Sequence, residues 1–464
     1  MKEIADYSFR FPADFLFGTA QSAFQAEGAC DRDGKSENMM EHYQRKFAGQ
    51  YLPGARKELG GQIMSDEMPD DGCFFYDKYE EYIDDMKKTG QNAFRFSISW
   101  SRLIPDGVGA INPKAVDFYN RVIDKLLENG IEPFVDVLHW DVPACLDAQG
   151  GYENPLFPQW FEHFARACFT CFGDRVKKWS TVNEPCVAIF VGYIDGRFPP
   201  FLKDFRRGLA AAHNMLIAHF RAVRAYKSMN LGGKIGAVNA ILPVYQQGIN
   251  EQDALAARRQ AEIRFDWWAQ PMLQGKYPPN VLEVLPVYRE NLPEHYQEDL
   301  ERWFIPCDFM GINYYCPART RFDPDTRNLA RNVDTFYAQP GKMLQYPAGL
   351  FDALMYMKEK YDNIEVYITE NGYRTDAIET REDAINDQER INYMREHLRM
   401  VVRAIKAGCN VKGYYYWCDA DAFEQMIGYS QRFGLTYVDR ETKEHCFKKS
   451  REFYREVITH RMVN

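Results

Sequence analysis

Eight short runs rich in β-branched and aromatic residues recur along the whole chain, and amphipathic helical stretches separate them. That alternation limits the fold more than any other feature. The runs are "FLFGTA" (15–20), "AFRFSISW" (93–100), "EPFVDVLHW" (132–140) and "KWSTVNE" (178–184), then "KIGAVNAIL" (234–242), "DFMGINYY" (308–315), "EVYITENG" (365–372) and "VKGYYYWC" (411–418). Strands separated by helices pair in parallel through right-handed crossovers. Eight such units predict an α/β fold, a closed (β/α)8 TIM barrel with elaborated βα loops. An open doubly wound sheet is the rival reading of the same pattern. The connections after the first and sixth runs are long. We read them as loops built onto the barrel, and residues 1–464 as a single domain.

Two helices are well marked. In "INPKAVDFYNRVIDKLLENG", Asn112 reads as an N-cap, Pro113 suits the first helical position, and Gly130 ends the helix. Val116, Tyr119, Ile123 and Leu126 lie between them at helical spacing. "DQERINYMREHLRMVVRAIKAG" carries Ile391, Met394, Leu398, Val401 and Ile405, with Gly408 as terminator.

Composition narrows the function. Acids outnumber bases, 66 to 57, for a net charge of −9, which argues against nucleic acid or an anionic membrane surface as partner. No apolar run is long enough to span a membrane. The opening "MKEIADYSFRFPADF" has no apolar core of a signal peptide. The 11 cysteines are an odd number scattered among apolar neighbours, which fits reduced thiols in a cytoplasmic protein. "CFTC" (168–171) has CxxC spacing but no second pair, so we read it as core and expect no metal and no cofactor. Nothing in the sequence sets the oligomeric state, and a homo-oligomer is compatible with it.

In barrels of this kind chemistry gathers at the C-terminal ends of the strands. Here those ends are polar and aromatic. The first run leads to Gln25 and Glu27, Arg95 lies within the second, and His139 and Trp140 close the third. Asn183 and Glu184 close the fourth, Asn239 lies in the fifth, and Asn313 and Tyr315 lie in the sixth. Glu370 and Asn371 end the seventh and Trp417 the eighth. Taken singly, each has a bland reading as packing or as a loop acid. Together, two carboxylates, two indoles and several amide and imidazole groups make a site for a sugar, with flat faces to stack on and partners for hydroxyls.

Those strand ends sit in longer motifs. "FLFGTAQSAFQAEG", "FRFSISWSRLIP", "HWDVP", "TVNEP", "GINYY" and "ITENG" together resemble glycoside hydrolase family 1, the retaining β-glucosidases and 6-phospho-β-glucosidases. "HNMLIAHFRAVRAYKS", "QPMLQGKYP" and "GYSQRFGLTYVD" continue the match, so it runs in order over essentially the whole chain. The resemblance implies a single catalytic barrel that hydrolyses a small-molecule β-glycoside without cofactor. It implies Glu184 as general acid/base and Glu370 as nucleophile, with Arg95, Tyr315 and Asn313 beside the nucleophile. By the same resemblance Asn183 holds the sugar 2-hydroxyl, and Gln25, His139, Trp140 and Glu424 bind the remaining glycone with Trp417 as platform. Retaining enzymes place their carboxyls about 5–5.5 Å apart, so mutual repulsion should keep one of them protonated near neutral pH. The alternatives within the family are a 6-phospho-β-glucosidase and a catalytically silent glycoside-binding member.

Two local expectations follow. Pro185 should bias Glu184 to an extended backbone. Strict alternation would send Asn183 and Glu184 to opposite sides, so a bulge or bend must re-aim one of them. The chain also departs from the family at "WCDADAFEQ" (417–425). Asp419 stands where an apolar residue is expected, Ala422 replaces Asn, and Gln425 replaces a Trp that contacts the glycone. These departures bear on glycone preference.

Overall fold

The computed structural model describes residues 8–52, 63–333, 337–339, 342–376 and 380–464. The eight runs form eight strands: β1 (Leu16–Gln21), β2 (Ala93–Ser97), β3 (Glu132–Leu138), β4 (Lys178–Asn183), β5 (Lys234–Ala240), β6 (Met310–Asn313), β7 (Val366–Asn371) and β8 (Val411–Trp417). They pair in parallel in sequence order, and β1 closes the ring against β8. The open-sheet rival is thereby excluded.

Local chemistry accounts for the helices between strands. In α1 (Pro113–Glu128) the Asn112 side chain accepts from the Lys114 backbone N–H at 3.1 Å, and the chain leaves through Gly130 at φ +72°. Its buried face is Ala115, Phe118, Tyr119, Val122, Ile123 and Leu126, while Val116 lies at the edge of that face. In α2 (Phe157–Phe172) Cys168 is buried among phenylalanines and Cys171 lies half-buried one turn on. All 11 cysteines are free thiols. Helix α3 (Phe205–Ser228) packs against α2, and α4 (Gln388–Lys406) buries Ile391, Met394, Leu398 and Val401.

Alternate residues of neighbouring strands fill the barrel. Phe134 meets Phe309, Tyr367 and Tyr415 edge-on with ring centroids 5.5, 5.9 and 5.5 Å apart, and this aromatic plug gives the interior a fixed floor. Arg95 and Asp136, also interior and fully buried, pair at 2.5 Å.

The long connection after β1 holds helices Met39–Phe47 and Phe75–Thr89, and that after β6 holds the short strands Ala318–Arg321 and Arg331–Asn332. The connection after β5 is equally elaborate, which the strand pattern alone did not reveal. It carries six helical segments, among them Glu251–Ala261 and Trp267–Gln274 with the π-helical Glu262–Asp266 between them. Its strand Val244–Gln246 pairs with Ala318–Arg321, which ties the fifth and sixth connections together.

Candidate active site

Both signature glutamates reach the barrel mouth through a break in strand register. Between Ser180 and Asn183 the pairing of β4 with β5 slips, and the Glu184 N–H donates to Val238 O at 2.9 Å. Glu184 then takes φ +43°, in the left-handed region. The expected extended backbone is therefore wrong. A left-handed residue turns the chain sharply, and Pro185, at φ −59° and ψ −24°, starts the π-helical segment Cys186–Ile194 instead of prolonging the strand. The expected re-aiming is present: Asn313 Nδ2 donates to Asn183 Oδ1 at 3.0 Å and to Glu184 Oε1 at 2.8 Å, so both side chains face the same neighbour. A second slip falls in β7 between Ile368 and Glu370. Thr369 donates to Asn313 Oδ1 at 2.7 Å, while Asn371 turns outward to Tyr314 O and the Tyr393 hydroxyl.

The two carboxyls have different partners. Glu370 accepts from Arg95 Nη1 at 2.7 Å and from the Tyr315 hydroxyl at 2.7 Å. Arg95 also donates to Asn183 Oδ1 at 2.7 Å and to Thr369 O at 3.2 Å. Burial works against the Arg95 charge, but Asp136 and Glu370 outweigh it and keep the guanidinium protonated. Burial likewise raises Asp136, yet Arg95, His139 and Ser180 hold its carboxyl below the usual range. Glu184 accepts from the Asn313 amide and is pushed up to about 8, first by burial and second by the Glu370 charge. The expected repulsion is thus the second cause and desolvation the first.

Around this pair lies a cavity of about 510 Å³. Gln25, His139, Trp140, Trp417, Glu424 and Gln425 all line it, with Asn313 and Tyr315. Gln25 Nε2 donates to Glu424 Oε2 at 3.3 Å, and the Trp417 ring stacks on His139 at 5.7 Å. The Trp140 indole donates to Asn183 O at 2.8 Å. The Asn183 amide nitrogen lies 3.0 Å from His139 Nε2. Glu424 sits in a turn closed by its own backbone bonds to Gly428, at 2.8 and 2.9 Å. It too is pushed up to about 8, by burial and then by the Glu370 charge. Gln425 is 7% exposed, and neither atom of its amide meets a hydrogen-bond partner among the described residues.

Three of the strand-end polar residues lie elsewhere. Glu27 pairs with Arg102 at 2.9 Å and accepts from the Tyr119 hydroxyl at 2.6 Å, behind β1. Asn239 turns to the sulfurs of Met272 and Met310. Asp419 pairs with Arg451 at 3.2 Å and accepts from Thr19 at 2.9 Å, so its departure from the family pattern serves a buried ion pair and not the sugar pocket.

Two parts of the site escaped the sequence reading. Asp136 left a signal, a lone acid within the apolar run "FVDVL". The outer wall of the cavity left none: Val187, Phe190 and Ile194 come from the segment after Glu184, Ile263 and Arg264 from the connection after β5, and Phe433 from the segment after β8. Among the described residues no cluster of His, Cys, Asp and Glu could hold a metal ion.

Known proteins are similar to the chain over nearly its full length. Residues 7–463 match the family described as Glycosyl hydrolase family 1. Beta-glucosidase A of Thermotoga maritima is 37% identical over 451 residues, 97% of this chain and 98% of its own. A 6-phospho-beta-glucosidase of Bacillus subtilis is also 37% identical, over 97% of this chain and 98% of its own. The solved family 1 b-glucosidase of Thermotoga maritima superposes with a TM-score of 0.90 at 36% identity, covering 99% of this chain and 100% of its own. The same Thermotoga enzyme in complex with glucoimidazole gives a TM-score of 0.89 over 98% of this chain and 99% of its own. Because the likeness runs the length of the barrel and is not confined to one motif, the chain belongs to glycosyl hydrolase family 1.

Proposed function

We propose that this enzyme is a retaining β-glycosidase that removes terminal, non-reducing β-D-glycosyl residues with neutral glycones, and that the whole chain acts as one catalytic unit. The unequal treatment of the two carboxyls carries this reading. Glu370 receives a guanidinium and a phenol, both donors to an anion. Burial and the Glu370 charge raise Tyr315 well above its ordinary value, so it stays a neutral donor. Glu184, pushed up to about 8, keeps its proton at neutral pH. Glu370 then attacks the anomeric carbon as Glu184 protonates the leaving oxygen. In the second step the Glu184 carboxylate takes a proton from water, which displaces Glu370 from the sugar. NMR of the first-formed sugar tests this: the β anomer is expected, and an initial α anomer overturns it.

A 6-phosphoglycone is the second reading, raised by the Bacillus relative. The segment "EQMIGYSQRFG" keeps Glu424 and lacks the Ser-x-Lys-x-Tyr pattern of phosphosugar members. The charge of Glu424 alone does not exclude phosphate, because a carboxyl pushed up to about 8 is mostly neutral at pH 7. The argument rests on the missing Lys of that pattern, which leaves the segment without the cation that would receive a phosphate dianion. A much larger kcat/KM on a 6-phosphoglucoside than on the unphosphorylated glucoside reverses it. Gln425 supports an altered glycone profile, since its unpaired amide faces the space an indole fills elsewhere in the family. No helix among the described residues is long and apolar enough to cross a membrane. We place the enzyme in the cytoplasm, where its free thiols stay reduced and its product enters carbohydrate metabolism.

A further inference from the structure

The leaving-group end of the cavity has a charge opposite to that of the chain. Beyond Glu184 its wall carries Arg197, Arg264 and Arg327 against one acid, Asp195, although the chain as a whole has net charge −9. Asp195 is already paired with Arg197 at 2.8 Å. Arg327 lies over the Phe205 ring at 4.1 Å and has no ion pair among the described residues. Arg264 is half-buried beside the Cys186 thiol, and has neither hydrogen bond nor ion pair among the described residues. Burial pulls its guanidinium below the ordinary value, more strongly than Asp195 and Cys186 push it up. Glu184 cannot act as its counterion at neutral pH, because its carboxyl is protonated there. Cys186 is neutral too, its thiol pushed up to about 12 by burial.

A guanidinium fork that lines a cavity without a protein partner is a place for a planar oxyanion. The neighbouring walls are apolar and aromatic. Phe190, Ile194, Phe198 and Ile263 line this end with Tyr288, whose hydroxyl donates to Asn328 Oδ1 at 2.9 Å. That bond leaves the Asn328 amide nitrogen as a further donor near the three guanidiniums. Resting on the β-glycosidase reading, we propose that this subsite selects glycosides whose aglycone is a flat aromatic group bearing a carboxylate, which Arg264 receives and Arg327 attracts at the rim. A monoanion fits better than a dianion, because Asp195 stands at the same rim.

The test compares 3-carboxyphenyl and 3-carbamoylphenyl β-glucosides, which match in shape and differ in charge. The wild-type kcat/KM ratio, acid over amide, is expected to be about tenfold or more and to shrink as NaCl screens the rim charges. In Arg264→Gln the ratio should fall close to one, in Arg264→Lys it should be partly kept, and in Arg327→Gln it should fall by a smaller factor. A wild-type ratio of one or below, or a ratio untouched by Arg264→Gln, overturns the proposal. A 3-phosphonophenyl glucoside preferred over the carboxylate overturns the choice of a monoanion. Binding of free 3-hydroxybenzoate against 3-hydroxybenzamide to the full chain needs no turnover. About tenfold tighter binding of the acid, lost in Arg264→Gln, supports the subsite even if neither glucoside is cleaved, in which case the glycosidase reading fails instead. Equal affinities overturn the subsite even where both glucosides are hydrolysed.

Discussion

The inner and outer ends of the one cavity meet opposite electrostatic problems. At the inner end three carboxyls, Glu184, Glu370 and Glu424, face the same buried space. Each has its own donors: Asn313 for Glu184, Arg95 and Tyr315 for Glu370, Gln25 for Glu424. At the outer end three guanidiniums line the wall with one carboxylate, and Arg264 has no ion pair among the described residues. Glu184 and Glu370 stand at strand ends, and Glu424 in a turn beyond β8. The outer ones stand on insertions, the π-helical segments after β4 and β5 and the loop after β6. Crowded acids on a rigid sheet set proton positions, which is what bond cleavage needs. An excess of bases on variable insertions offers donors that an anionic ligand can meet, which is what selection among leaving groups needs.

The division breaks first if an inner substitution acts on some aglycones and not others. Replacing Glu370 with Gln should lower kcat by about 10⁴-fold or more on every substrate, as loss of a nucleophile does. Steady-state assays with charged and neutral aglycones check this, and a loss that tracks aglycone charge would dissolve the distinction.

Replacing Glu184 with Gln should cost about 10²–10⁴-fold with poor leaving groups and far less with good ones, which need little protonation. The protonated form of Glu184 is the acid, and its carboxyl is pushed up to about 8. Wild-type kcat/KM should therefore decline as pH rises through about 8, and the variant should lose that limb. A limb that survives in Glu184→Gln belongs to another group.

Gln425→Trp sharpens the comparison within the inner end. It should change the ranking of β-glucoside, β-galactoside, β-fucoside and β-xyloside by about tenfold, the size of one or two hydroxyl contacts, while the aglycone ranking stays put. An unchanged glycone ranking removes Gln425 from specificity.

The smallest effect is on stability. Glu424 is raised from 4.5 to about 8, so the folded chain holds a proton that the unfolded chain releases. Its contribution is fully favourable below about pH 4.5 and is lost as pH rises through about 8. Glu424→Gln removes that loss, so Tm relative to wild type should rise by a few degrees at about pH 8.5 and hardly at all at about pH 4.5. A larger gain at the acid end reverses the sign and the assignment.

Much of the barrel could be read in advance because its signals are local. Asn112 and Pro113 start α1 through their own backbone chemistry, and the aromatic and β-branched runs locate every barrel strand to within a few residues. The glutamates were legible as acids at strand ends, and their motifs implied their roles. The connection after β5 was not legible as an insertion, since its helices resemble any crossover helix until strand Val244–Gln246 is seen to pair beside the barrel.

The sequence by itself determined the repeat of strand and helix and which polar and aromatic residues fall near strand ends. Those follow from periodicity and caps, which act over a few residues. Only the tertiary structure decided where the side chains point and what they meet. The left-handed turn at Glu184 and the slips in β4 and β7 arise where strands far apart in sequence fix each other's register. Asp419 meets Arg451 away from the pocket, Asp136 meets Arg95 inside the barrel, and Arg264 comes from another connection to stand beside Cys186. Charge and burial at a site are sums over such distant neighbours, and only the closed barrel brings them within reach of one another.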